Sequence, residues 1–115
     1  MKALRFSKFG LPSVLRIEET SCPEPRVGEA LVKVKAAAIN PSDVKNVAGL
    51  FSRTTLPRTP GRDFSGVVVA GKKYEGEDVW SSGPGLGITR DGAQAEYVTI
   101  PEEALSLKPR TLSLE

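Results

Sequence analysis

In the segment ALVKVKAAAI, residues 30–39, two lysines share one parity with Leu31 while Val32 and Val34 fall on the other. Successive side chains of a strand point to opposite faces, so this pattern predicts a half-buried strand. Val32 and Val34 face a core in that reading, and Lys33 and Lys35 face water. A less regular alternation over residues 1–9 predicts a first strand, ended by Gly10-Leu11-Pro12, and residues 14–18 predict a second. The nearly continuous apolar run 63–70 reads as a further strand, followed by 76–81, 93–101 and a last short one at 104–107. Pro23, Pro25 and Gly28 mark a loop. Residues 50–59 are irregular, and SSGPGLGITRDG (81–92) is a glycine-rich loop.

The period changes once. In NPSDVKNVAG, Asn40 suits a helix N-cap, Pro41 the first helical position, and Asp43 the third position of a capping-box variant. Gly49 can close the element, so the spacing predicts a helix of about two turns over 41–48. Six or seven short strands, many turns and one short helix argue for a mainly β, Greek-key or barrel-like domain.

Composition narrows the chemistry. The chain has 115 residues, one domain's worth, with 39% hydrophobic and 26% charged residues, which argues against disorder. Its net charge of +2 gives no electrostatic footprint for nucleic acid and no polybasic membrane patch. Apolar runs such as 67–70 are far too short to span a bilayer, and MKALRFSKFG lacks the apolar stretch of a secretory leader. A cytoplasmic protein is the expectation. Cys22 is the single cysteine and there is no histidine. Zinc is held mostly by Cys and His, with three protein ligands even at open catalytic sites, so a zinc site is not expected in this chain.

Three fragments in this order, AAAINPSDVKNVAG, PRTPGRDFSGVVVAGKKYEGEDVW and DGAQAEYVTIPEEALSLKPRTLSLE, cover most of the sequence. Together they resemble the N-terminal domain of the medium-chain dehydrogenase/reductase superfamily, in its quinone-oxidoreductase-like, zinc-independent branch. The resemblance implies a GroES-like fold over residues 1–115, a partly open β-barrel with one short helix. It also implies a partner Rossmann domain that binds NADP or NAD and forms the active-site cleft. That domain is absent from this sequence. Gly83-Pro84-Gly85 does not replace it, because Ile88 stands where the dinucleotide fingerprint needs a third glycine. The implied activity is NAD(P)H-dependent reduction of quinones, enones or related carbonyl compounds, with the isolated chain expected to be inactive. A homodimer of the longer protein is compatible with the resemblance.

Zinc-using members of the superfamily carry a cysteine ligand where this chain has Asn40, and a His-Glu pair where it has Arg62-Asp63. An alcohol-handling Ser or Thr matches Ser42, and an acidic residue behind the metal matches Asp43. By resemblance, Asn40 lies near the nicotinamide, and Ser42, Lys45 and Arg62 are candidate catalytic contacts. Zinc-independent relatives often have a tyrosine and an arginine where Lys45 and Val47 stand. Each residue also has a plainer reading: Asn40 as a cap, Ser42 as a first-turn residue, Lys45 as a solvated charge, and Arg62 as an exposed turn residue. An unpaired buried guanidinium is costly, so the more specific expectation for Arg62 is an ion pair with Asp43 in the place of the metal. The alternative from another functional class is a stand-alone GroES-like binding module, co-chaperonin-like or an adaptor, using exposed Leu50 and Phe51.

Overall fold

The computed structural model describes residues 1–114. Its elements are β1 (Lys2–Arg5), β2 (Arg16–Glu19), β3 (Glu29–Ala37), α1 (Pro41–Val47), β4 (Asp63–Ala70), β5 (Asp78–Ser82), β6 (Tyr97–Pro101) and β7 (Ser106–Leu107). Single 3-10 turns occupy Pro12–Val14 and Glu102–Ala104. These turns correct two expectations. The second strand starts two residues later than its alternation predicts, because Pro12 opens a turn. The last strand keeps only Ser106 and Leu107, since residues 102–104 are taken up by a turn that Leu105 N–H closes on the Glu102 carbonyl.

Five strands form an antiparallel sheet in the order β6-β3-β4-β5-β7, while β1 and β2 form a separate hairpin. The hairpin is stitched to the sheet at two places. Ala3 bridges Ala95, just ahead of β6, and Phe6 exchanges both backbone hydrogen bonds with Arg58. The result is the expected partly open barrel with one helix.

Parity explains what fills it. Ala30 and Val32 on β3 have no exposure at all, and Val34 packs on the same cluster, while Lys33 and Lys35 lie in water. Phe64 and Val68 on β4, Val79 on β5, and Val98 and Ile100 on β6 meet them. Each such valine contributes about 1.5–3 kcal/mol relative to an exposed one. Gly66 completes the inner parity of β4, where an added Cβ would lie 2.2 Å from the Lys33 carbonyl oxygen. The β3–β4 register shifts beside it, between Val34 and Ala36, so the sheet bends where a side chain is missing.

α1 forms as its sequence dictates, one residue shorter than expected. Asn40 is extended and Pro41 opens the helix. At the far end Gly49 takes φ 90°, Leu50 N–H reaches the Lys45 carbonyl (3.1 Å) and Gly49 N–H the Asn46 carbonyl (3.0 Å). That pair of bonds is a Schellman closure, which needs a glycine in the left-handed region.

Candidate active-site wall

The end of β3, the start of α1, the start of β4 and the end of β5 converge at one rim of the barrel. Ala38 N–H donates to the Asp63 carbonyl (3.1 Å), which brings Asn40 over the first residue of β4. Register places Ser82 directly opposite Asp63. The Asp63 carboxylate then receives two donors: Asn40 Nδ2–H on Oδ2, at 2.6 Å, and the Ser82 hydroxyl on Oδ1. A second carboxylate lies beneath. Asp43 is only 6% exposed; its Oδ2 accepts the Asn40 backbone N–H at 2.8 Å, and its Oδ1 has no partner among the described residues. Asn40 and Asp43 thus make the expected capping box. Its side-chain arm from Asn40 is the weaker one, since Asp43 N–H also reaches the Asn40 backbone carbonyl at 2.9 Å.

The rim is held from behind by a contact that the hydrophobic pattern does not reveal. Asn46, 1% exposed, donates its amide to the Gly87 carbonyl at 2.6 Å and accepts the Thr54 hydroxyl on Oδ1. This ties α1 to the glycine-rich loop. That loop presses onto the backbone just before β4, where an added Cβ on Gly92 would lie 2.3 Å from the Gly61 carbonyl oxygen. Asp91 in the same loop accepts Thr59 N–H (3.0 Å) and pairs with Arg5 (3.2 Å) and Arg58 (3.4 Å). The approach to Arg62 and Asp63 is therefore set by backbone packing and one charged hub, between residues distant in sequence.

The sequence-predicted site residues divide. Asn40 is in the cluster, with its amide nitrogen committed to Asp63. Ser42 is half-buried on the first helical turn and Lys45 is exposed one turn on; neither side chain bonds another described residue. Arg62 corrects an expectation: no ion pair joins it to Asp43, and it is half-buried, neither sealed in nor fully exposed. The reason is reach: Asp43 is buried under the helix start, with Oδ2 serving the cap and Oδ1 unpartnered among the described residues, while the Arg62 side chain stays only half-buried and Asn40 takes Asp63. Asp63 and Ser82 are the members that sequence reasoning did not select. Asp63 was legible only as the neighbour of Arg62, and Ser82 carries no local signal because its role follows from the β4–β5 register. Phe51, expected to be exposed, is half-buried, whereas Leu50 is 68% exposed.

A shallow groove of ≈ 600 Å³ runs along the outer face of the sheet from this rim, lined by Ala36, Asp63, Ser65, Trp80, Ser82 and Ser106 among others. The donor set at the rim does not fit zinc. Both oxygens of Asp63 accept N–H or O–H donors, the amide nitrogen of Asn40 is a donor itself, and no group of three His, Cys, Asp or Glu side chains converges among the described residues. One acid elsewhere is displaced from its usual titration. The carboxyl pKa of Glu29 is lowered, mainly by the Arg26 backbone N–H and further by the Arg90 guanidinium at 2.7 Å, against the opposing effect of burial. Among the described residues, no helix is long and apolar enough to cross a membrane.

Known proteins share this architecture. The profile of the alcohol dehydrogenase GroES-like domain family matches residues 26–110. A zinc-type alcohol dehydrogenase-like protein of Schizosaccharomyces pombe is 48% identical over 117 residues, covering 98% of this chain and 36% of that protein. The chloroplastic NADPH-dependent alkenal/one oxidoreductase of Arabidopsis thaliana is 40% identical over 123 residues, covering 97% of this chain and 32% of that protein. The structure of the quinone oxidoreductase from Coxiella burnetii superposes with a TM-score of 0.88 at 32% identity, over 99% of this chain and 38% of that one. The chain spans about a third of the length of these curated relatives. It belongs to the alcohol dehydrogenase GroES-like domain family, within the medium-chain dehydrogenase/reductase superfamily.

Proposed function

We propose that this chain is the substrate-side domain of a zinc-independent, NAD(P)H-dependent oxidoreductase that reduces quinones, enones or related activated carbonyl compounds. The observation that supports the reading is the Asn40–Asp63–Ser82 cluster: Asn40 and Asp63 stand at positions that, by resemblance, carry a zinc ligand and its acidic neighbour in zinc-using relatives, and here they are hydrogen-bonded to each other. The name of the S. pombe relative includes zinc, yet this chain has Arg62 and Asn40 where, by resemblance, zinc-using members carry a histidine and a cysteine. The similarity to an alkenal/one oxidoreductase and a quinone oxidoreductase supports the substrate class.

A nicotinamide nucleotide, when bound by a Rossmann domain, supplies hydride. This chain's residues then have three tasks. Asn40, clamped by Asp63, presents a fixed amide at the cleft rather than a mobile one. Ser42 and Lys45 offer hydroxyl and ammonium donors that no other described residue uses, suited to a substrate oxygen on which negative charge develops. With no histidine, a proton for that oxygen comes from Lys45, Tyr74, Tyr97 or water. Arg62, unpaired among the described residues, adds positive charge close to the rim.

The test is hydride transfer from NADPH and NADH to a simple quinone and to an α,β-unsaturated ketone, by the domain joined to its cofactor-binding partner. Activity that survives chelator treatment and resists stimulation by Zn²⁺ is expected. Stoichiometric zinc uptake, or oxidation of simple alcohols with no reduction of either substrate, overturns the reading.

A further inference from the structure

β2 pairs with β1 along one side only, and the phase of its hydrogen bonds follows from its neighbours. On β1, Leu4 N–H donates to the Gln94 carbonyl (2.8 Å) and the Lys2 carbonyl accepts Glu96 N–H (3.2 Å), so Lys2 and Leu4 face away from β2. Ala3 and Arg5 therefore turn their backbone groups to Glu18 and Arg16, the residues opposite them, in phase with Thr20 N–H on the Met1 carbonyl (2.8 Å). By alternation Ile17 and Glu19 direct N–H and C=O outward. All four residues of β2 are exposed, Ile17 to 76%.

A second antiparallel strand can dock on this edge only where outward-facing residues meet. For another copy related by a two-fold axis, three registers satisfy that condition within β2. Ile17 opposite Glu19 brings Glu18 against Glu18 of the second copy. Glu19 opposite Glu19 is directly repulsive. Ile17 opposite Ile17 sets Arg16 against Glu18 of the second copy, twice by symmetry, and packs the two isoleucines together. Charges on an edge strand usually deter pairing, but here they are complementary in one register and repulsive in the others. Among the described residues the Arg16 guanidinium bonds only through Nη1, on the Ser13 (2.7 Å) and Leu15 (3.1 Å) carbonyls, which leaves Nε and Nη2 for a carboxylate.

We propose that β2 is a homotypic docking edge at which two copies of this chain pair antiparallel about Ile17, held by reciprocal Arg16–Glu18 ion pairs. Four residues a side form a small contact beside the roughly 1,200–2,000 Å² of a stable complex, so the association is reversible and concentration-dependent. This inference is independent of the catalytic reading.

Sedimentation of the chain up to about 1 mM tests it. The weight-average mass is expected to rise toward twice the monomer value. Glu18→Arg, which opposes two arginines, should weaken association at least tenfold, and Arg16→Glu combined with Glu18→Arg should restore it, with unchanged circular dichroism in each variant. Amide exchange on the wild type supplies a readout that needs no variant: at high concentration the Ile17 and Glu19 N–H groups should gain protection. A monomer throughout the range, a dimer indifferent to the single charge reversal, or no protection at Ile17 overturns the proposal.

Discussion

Asn46→Ala isolates the contact that holds the candidate wall together. The wild-type amide spans from α1 to residue 87, donating to the Gly87 carbonyl at 2.6 Å and accepting from Thr54, at a site 1% exposed. Alanine removes both bonds. Two ordinary hydrogen bonds contribute about 1 kcal/mol each, and a buried carbonyl left without a donor costs about 1–3 kcal/mol. The carbonyl penalty stands in place of the Gly87 bond's own contribution, and the Thr54 hydroxyl can rotate toward another acceptor, so its desolvation is not counted. The expected loss is about 2–4 kcal/mol, which at roughly 4 °C per kcal/mol lowers the melting temperature by about 8–16 °C. Urea unfolding followed by circular dichroism measures it, with an unchanged m-value showing that only stability has moved. Thr54→Val, which removes one of the two bonds, should cost about 1 kcal/mol, and the double variant should cost less than the sum by a similar amount. An Asn46→Ala loss below about 0.5 kcal/mol, or strictly additive variants, would refute the role assigned to this side chain.

Three other perturbations address separate features. Gly92→Ala places a Cβ 2.3 Å from the Gly61 oxygen and 2.7 Å from the Pro60 oxygen, both backbone atoms that yield little, so a cost of about 1–3 kcal/mol is expected in the same unfolding assay. Glu29→Gln tests the lowered carboxyl pKa. A depressed folded-state pKa contributes stability above the unfolded value of about 4.3 and loses it as pH falls through the folded one. The variant should therefore be less stable than wild type at neutral pH, with the gap closing in acid; a gap that widens in acid contradicts the Arg26 and Arg90 assignment. Asp63→Ala frees Asn40 and Ser82 at a half-exposed position. In the NADPH-dependent assay it should lower kcat/KM on the order of 10–100-fold with little loss of fold, and full activity would show that the clamp on Asn40 is irrelevant to catalysis.

Local chemistry made a good part of this molecule readable. Val32, Lys33, Val34 and Lys35 sort to two faces because a strand alternates whatever it packs against. Asn40-Pro41, Asp43 and Gly49 bound the helix because capping is satisfied within a few residues. The expectation that no zinc site forms here rests on elimination, since a chain with no histidine and one cysteine supplies at most one of the Cys and His ligands that zinc favours. Where local signals compete, the reading fails: Pro12 converts the start of an expected strand into a turn, and Glu102–Ala104 does the same near the end.

Charge placement shows where sequence stops. Arg62 beside an inward-looking position, with Asp43 as the one acid on the helix start, makes an ion pair the natural expectation. The folded chain instead engages Asp43 in the helix cap and offers Asp63 to Asn40, because hydrogen-bond partners are chosen by which donors arrive within reach. Ser82 reaches Asp63 through a cross-strand register, and Asn46 reaches Gly87 across 41 residues. Alternation, capping and ligand chemistry are properties of neighbouring residues and belong to the sequence; the pairing of Asn40 with Asp63, and the exclusion of Arg62 from it, depends on strand register and loop packing, which only the folded barrel determines.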